Sequence, residues 1–355
     1  MTALYSRVHG AADLAATCVR RARLRRPGIG YIGWLGHNNL GDDAMFEAAN
    51  DLLPGRSLEI FTGARREALL ASGGLSGKRV FKHIFLGGGT LINEGYLPIV
   101  KRAIDLGVTI SALGTGVGSS GFADNSKSLH PEWRDTLMRF ERIGVRGPRS
   151  LETLRAVGVE KVEIVGDLAL AMTTDDPIFD PKADGFLINF AAPKATDSYF
   201  PTKQVISEFV DAMMRLKKIG LRPIPVALSL DDLDPIRTVL DLSGVAEFIH
   251  RPKTAKAFFA LASRARLSLG VRLHSAVLST CVGIPSLSVA YRGKARDFAA
   301  TVGLDEWIVD PDDGNLAERA EILVDVAQQV GATAHAAALS WRRKLVAYVD
   351  GCSIH

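Results

Sequence analysis

From residue 29 onward the chain repeats one unit: a short apolar run, a glycine-rich turn, then a stretch with helical periodicity. Apolar runs fall at 30–35, 58–62, 83–86, 108–113, 142–145 and 162–165, and helical stretches at 43–53, 96–106, 131–140 and 149–157. Short apolar runs suit strands buried on both faces. Their alternation with helices predicts a parallel sheet covered on both sides. The segment TTDDPIFDPKAD, at 173–184, breaks this rhythm with Asp and Pro and reads as a linker. The alternation then restarts. Strands are expected at 186–190, 222–228, 247–249, 267–269, 286–290 and 307–309, and helices at 205–218, 235–242, 255–263, 275–282 and 294–302. Two further helices are expected at 316–330 and 334–348.

The expected fold is therefore α/β, with two doubly wound, Rossmann-like domains facing a cleft. A chain of 355 residues is also long for a single core. The expected division is a basic arm or helix at 1–27, an N-terminal α/β domain at 28–172 on the acceptor side, and the linker at 173–184. A C-terminal α/β domain at 185–332 on the donor side and a helix at 333–355, free to cross back, complete it. Ligands of such sheets sit beyond the carboxyl ends of the strands, so the strand-to-helix turns are where chemistry belongs.

Composition excludes several classes. A net charge of +4 is too weak to imply a nucleic-acid partner. Much of the excess sits on Arg20, Arg21, Arg23, Arg25 and Arg26, which read first as a solvated helix face and second as peripheral contact with an anionic membrane. Cys18, Cys281 and Cys352 are odd in number and far apart, which suggests neither a disulfide framework nor a metal site. Residues 1–27 lack the apolar core of a secretory signal, and no apolar run reaches the roughly 18–20 residues that span a bilayer. A cytoplasmic location is expected, with the inner face of the membrane as its outer limit.

Five turns carry candidate chemistry. In Gly36-His37-Asn38-Asn39-Leu40-Gly41-Asp42-Asp43, either aspartate is placed to cap the next helix or to accept a bond from a sugar hydroxyl. The run Gly87-Gly88-Gly89 allows close approach of a ligand or of another backbone. The stretch Gly114-Thr115-Gly116-Val117-Gly118 lacks the context of a dinucleotide site, and NAD is rejected. In Gly144-Val145-Arg146-Gly147-Pro148-Arg149-Ser150, Arg146 ends a short strand with a guanidinium suited to carboxylate or phosphate. The strongest is Gly270-Val271-Arg272-Leu273-His274-Ser275. There Arg272 and His274 are expected to alternate along an extended segment and face one way, just before a helix N-terminus. Lys294, opening a later helix, reads first as a solvated lysine and second as a partner for an anionic ligand. Asp167, at the end of a strand, is placed to orient an arginine or to contact substrate.

Taken in order, these residues resemble the polysaccharide pyruvyl transferases. The family's first turn corresponds to residues 36–43, with Asp43 where Glu is usual, and its glycine runs correspond to 87–89 and 114–118. Arg146 stands at its Arg-Asp pair, with Gly147 in place of the Asp, followed by Ser150, Leu151 and Leu154. Asp167-Leu168-Ala169 stands where Asp-Pro-Ala is usual. The most specific element is Arg272-Leu273-His274, then Gly283-Ile284-Pro285, then Tyr291-Arg292-Gly293-Lys294 and Phe298.

The resemblance covers about residues 30–305. It implies a fold like the two-domain GT-B glycosyltransferases and a transfer of pyruvyl from phosphoenolpyruvate to a sugar as a cyclic ketal, in the making of a cell-envelope or exopolysaccharide. Phosphoenolpyruvate is then the donor substrate, with no cofactor and no metal. His274, Arg272 and Asp42 are the catalytic candidates, with His274, at an ordinary value near 6.5, the leading acid or base. Arg146, Arg272, Lys294 and Ser275 are the donor-side candidates. Asn38, Asn39, Asp42, Asp43, Gly88 and Gly89 are the acceptor-side candidates. The acceptor sugar, its lipid linkage and the oligomeric state are left open. The rivals are a glycosyltransferase using a nucleotide-sugar and a non-catalytic sugar-phosphate binding relative.

Overall fold

The computed structural model describes residues 28–53, 58–60, 81–118, 129–191, 202–290 and 293–354. The basic arm and the pair Tyr291-Arg292 lie outside the described residues. Two parallel sheets organise the described residues. The first runs β2-β1-β3-β5-β6-β7, with β4 paired to β5. Its strands are β1 (Gly28–Ile32), β2 (Leu58–Ile60), β3 (Phe81–Leu86), β4 (Gly89–Ile92), β5 (Thr109–Val117), β6 (Arg142–Val145) and β7 (Glu163–Ile164). The second runs β12-β11-β10-β8-β9. Here β8 is Gly185–Asn189, β9 Arg222–Pro225, β10 Ala265–Gly270, β11 Ser286–Val289 and β12 Ile308–Val309. Every strand pair in both sheets is parallel.

Each order contains one reversal. From β1 the chain leaves to β2 on one side and returns to β3 on the other; from β8 it leaves to β9 and returns to β10. Carboxyl ends of strands at such a reversal are left uncovered by crossovers, which opens a crevice there. The turn after β1 and the glycine run after β3 flank the first crevice. Asn189 and the turn after β10 flank the second.

Along β3 the side chains alternate: Phe85 joins a core shared by both halves, while Ile84 and Leu86 join one confined to the first sheet. The shared core unites Tyr31, Leu113 and Leu168 with Leu273, Val277 and Phe298. A third cluster, with Phe186, Phe209 and Leu267, belongs to the second sheet alone. Burial through the shared core presses the two crevices together. The backbone N–H of Leu40 donates to the Leu228 carbonyl at 2.8 Å across this junction.

The helices include α1 (Leu40–Asp51), α2 (Leu97–Asp105), α3 (Glu132–Leu137), α4 (Pro148–Ala156) and α5 (Thr202–Lys218). They continue with α6 (Leu233–Leu242), α7 (Ala255–Ala262), α8 (Leu273–Thr280), α9 (Gly293–Val302) and α10 (Leu316–Asp350). The expected helices at 316–330 and 334–348 form this single α10. Gly331 lies between them without breaking the helix; a Cβ there would stand 2.3 Å from the Gly283 carbonyl oxygen, so the site needs glycine for contact. Near its end the Tyr348 hydroxyl donates to Ala112 O at 2.7 Å, which fastens the helix to the first sheet. The expected strand at 247–249 is instead irregular, with one bridge pairing Val226 and His250. The strand β4 follows β3 too closely to be separated from it by pattern.

Candidate active site

Gly41 is where the two crevices touch. A Cβ at this position would stand 2.0 Å from His274 Nδ1, so only glycine lets the imidazole lie on the α1 backbone. Asn39 caps α1, accepting from Gly41 N at 3.1 Å. This corrects the reading of Asp42 or Asp43 as the cap and leaves both carboxylates for other partners. Asp43 interacts with Lys253. Asn38, at φ 54°, accepts from Arg251 Nη2 at 3.2 Å. Both thus face the 251–253 loop of the other half. Asp42 turns toward Lys294, Asp167 and Arg272.

Arg272 and His274 do not alternate along a strand. Arg272 is the N-cap of α8, and His274 sits in that helix's first turn. The guanidinium of Arg272 contacts Asp232 Oδ1 through Nε at 2.7 Å and Nη2 at 2.6 Å. Asp232 is itself buried and accepts from Leu228 N, Ser229 N and Asn189 Nδ2. Arg272 is therefore positioned before any ligand arrives, by a network that the sequence reading missed. Ser275, expected on the donor side, points inward, with Oγ 3.2 Å from Ser268 Oγ.

Arg146 is 2% exposed and reaches Asp167 Oδ2 at 3.6 Å. Its guanidinium crosses the end of β5, where a Cβ at Gly116 would stand 3.1 Å from Nη2. The 114–118 glycines thus lie within or at the end of a strand, and not in a strand-to-helix turn. Asp167 Oδ1 caps the following 3-10 helix (Leu168–Met172), accepting from Ala169 N at 3.1 Å, and lies 3.9 Å from His274 Nε2. One buried carboxylate therefore faces a cation from the first half and an imidazole from the second.

The glycine run after β3 divides. Cβ atoms at Gly87 and Gly88 would stand 2.1 Å from the Tyr31 ring and 2.2 Å from Met45 Sδ, so these two serve packing. Gly89, at φ +103°, would bring a Cβ no nearer than 4.0 Å to Asp42 Oδ1 and borders the crevice. Just after β1, the exposed Trp34 stacks on His37 with ring centroids 3.8 Å apart.

The charges split two titrating groups. Burial, with help from Asp43 and Asp167, pushes Asp42 up to about 7 against the pull of Lys294 and Arg272. Burial, with Lys294, Arg146 and Arg272, pushes His274 down to about 4 against Asp167. The expected imidazole near 6.5 is thus corrected: this one is neutral at physiological pH. Lys294 faces the Asp42 carboxyl, whose rise it opposes. Carboxyl and imidazole with displaced values in opposite directions form a pair fit to give and take protons near neutrality.

Asp297, on α9, was not singled out from the sequence. It is buried and accepts from Arg149 N at 2.9 Å, and it interacts with Arg146. A Cβ at Gly147 would stand 2.3 Å from its Oδ1. The carboxylate missing at 147 is thus matched by one from the other half. Gly147 has extended backbone, φ −159°, which any residue adopts. Gly147→Asp is therefore expected to destabilise by about 1–3 kcal/mol through overpacking, before like-charge repulsion is added. Adding Asp297→Gly should restore most of the loss, as read from urea midpoints of the single and double variants.

The family model for polysaccharide pyruvyl transferases matches residues 39–293, which holds most of the groups just described. No curated protein matches the sequence well enough to count as a relative. Solved structures share the fold at low identity. Anabaena Alr3699/HepE, in complex with UDP and glucose, aligns with TM-score 0.55 and 11% identity over 92% of this chain and 97% of that one. The UDP-GlcNAc 2-epimerase of Methanocaldococcus jannaschii aligns with TM-score 0.53 and 13% identity over 84% and 92%. A mutant of S. aureus TarM aligns with TM-score 0.53 and 10% identity over 81% of this chain, which spans only 59% of TarM. The fold is GT-B-like, as the sequence predicts.

Proposed function

The chain belongs to the polysaccharide pyruvyl transferase family, and from that premise we propose that it moves pyruvyl from phosphoenolpyruvate onto two hydroxyls of an envelope sugar. What carries the reading is the junction of the crevices. A carboxyl near 7 and an imidazole near 4 lie in one cluster with Arg146, Arg272 and Lys294. Phosphoenolpyruvate brings a carboxylate, a phosphate and an electron-rich methylene carbon. Cations suit the first two, and a carboxyl still protonated near neutral pH suits the third.

In this reading protonated Asp42 delivers its proton to the methylene carbon, leaving positive character on the carbon bearing phosphate. His274, neutral, takes the proton of the attacking sugar hydroxyl as the new C–O bond forms. The C–O bond to phosphate then breaks, with Arg146, Arg272 and Lys294 balancing the leaving charge. A second hydroxyl closes the ketal. Of the two hydroxyl protons released, one returns to Asp42 and one leaves with phosphate. Asn38, Asn39, Asp43, Gly89 and the exposed Trp34 edge belong to the acceptor side.

A second reading rests on the fold neighbours that hold UDP: a nucleotide-sugar transferase. Thermal unfolding separates the two. Phosphoenolpyruvate at a hundredfold excess over its Kd should stabilise by about 2.7 kcal/mol, with UDP giving none. The converse result would favour the nucleotide-sugar reading. Incubation with phosphoenolpyruvate and a panel of acceptor sugars, read by mass gain on the sugar and by released phosphate, tests the reaction itself. No gain and no phosphate across lipid-linked and free acceptors would count against it.

A further inference from the structure

At the opposite end of the first sheet, three side chains from distant parts of the chain converge. His83 lies near the start of β3, Glu141 precedes β6, and Cys352 follows α10. Their ligand atoms lie within 4.8 Å of one another. His83 is fully buried, and neither ring nitrogen has a hydrogen-bond partner among the described residues. Its Nδ1 lies 3.5 Å from Glu141 Oε2. A buried imidazole with both nitrogens unsatisfied is rare and calls for a missing partner.

The surroundings hold the other two groups in place. Ser353 N donates to Glu141 Oε1 at 2.9 Å, which fixes that carboxylate and leaves Oε2 directed at His83. Ser111 Oγ lies 3.4 Å from the same Oε2, and Cys352 Sγ lies 3.9 Å from Ser111 Oγ. Such outer partners orient ligands around a metal.

We propose that His83, Glu141 and Cys352 bind one Zn2+, which clips the C-terminal end of the chain onto the first sheet. Thiolate, imidazole and carboxylate are the donor types zinc takes, and hard cations such as Mg2+ avoid thiolate. Bond lengths of about 2.0–2.3 Å place tetrahedral ligand atoms roughly 3.3–3.8 Å apart. The observed cluster closes to that with shifts of about 1 Å or less, and solvent fills the fourth corner. Binding forms the Zn–S bond and releases the thiol proton to solvent. The ion would sit at the amino ends of β3 and β6, whereas the candidate active site lies at the carboxyl ends. The ion would therefore lie apart from the candidate active site. Cysteine spacing alone could not show it, since two of the three ligands are other residues that only folding brings to Cys352.

The full-length protein, stripped with chelator and desalted, should retain about one Zn2+ per chain after incubation with zinc, and its unfolding midpoint should rise by several degrees. Co2+ in place of Zn2+ should give a thiolate-to-metal charge-transfer band. That band should vanish in Cys352→Ser and persist in Cys18→Ser. Glu141→Gln, at a side chain 22% exposed and so tolerant of change, should weaken zinc binding at least tenfold even if Cys352→Ser folds poorly. Absence of retained zinc in the wild type, or equal retention in Glu141→Gln, overturns the assignment. Phosphate release by the family reaction is a separate readout, so a failed zinc site and a failed reaction are distinguishable.

Discussion

His274→Ala is expected to lower turnover by about 10²–10⁴-fold, the range of a lost acid–base group, while phosphoenolpyruvate still binds within a few fold of wild type. The separation follows from charge. With its proton affinity pushed down to about 4, the imidazole carries no charge near pH 7 and adds nothing to the attraction of a multiply charged anion. The attraction comes from Arg146, Arg272 and Lys294. Arg272 is held by Asp232, whose other partners are Leu228, Ser229 and Asn189, so loss of His274 leaves its network standing. Arg272→Ala makes the contrast. Removing one charged hydrogen-bonding partner costs about 1.5–3 kcal/mol, so donor affinity should fall roughly ten- to hundredfold. Single-turnover phosphate release and donor titration by calorimetry measure the two quantities apart. Full turnover by His274→Ala, with donor binding intact, would remove the imidazole from the chemistry.

The residues at this junction were legible in the sequence to different depths, for physical reasons. The turns after β1 and β10 stood out because a glycine-rich or polar break after an apolar run marks a strand's carboxyl end, and crevices form there. Arg146, Asp167, Arg272 and His274 stand out on that ground, and all four meet at the junction. What they do to one another was not legible. An imidazole is assigned 6.5 until burial and three cations are counted, and those cations come from residues 146, 272 and 294. Local pattern does not decide geometry where helix and extended forms compete: Arg272 opens α8 and does not lie in a strand. Asp297 gave no signal because its partners lie 148 residues away, and a lone acid in a helix reads as solvated. Glycine was the most ambiguous letter. Gly41, Gly87 and Gly88 all make room for protein side chains, whereas Gly89 borders the crevice beside Asp42.

Asp42→Asn should abolish more than ninety-nine parts in a hundred of the activity, about 10²–10⁴-fold, and at the same time make the protein more stable in mild base. The first effect follows from its role as proton donor to carbon. In the wild type, kcat/KM should rise as pH passes about 4, where His274 loses its proton, and fall as pH passes about 7, where Asp42 ionises. The variant should lose the falling limb. The second effect follows from linkage. Asp42 titrates at an ordinary 3.8 when unfolded and at about 7 when folded, so between these values the folded chain binds the extra proton. Stability therefore declines as pH rises through that window and levels off above it. The full shift would correspond to about 4 kcal/mol, and the partial exposure of Asp42 reduces this to on the order of 1–2 kcal/mol. Asparagine cannot ionise and escapes the decline. At pH 8 the variant's urea midpoint should exceed that of wild type, and below pH 4 the two should coincide. A purely structural Asp42 would show the opposite: lower stability in the variant at every pH, and an unchanged shape of the rate profile. Stability and activity moving apart across one isosteric change is what a carboxyl kept protonated for chemistry demands, because the burial that strains the folded state is the same burial that supplies the acid.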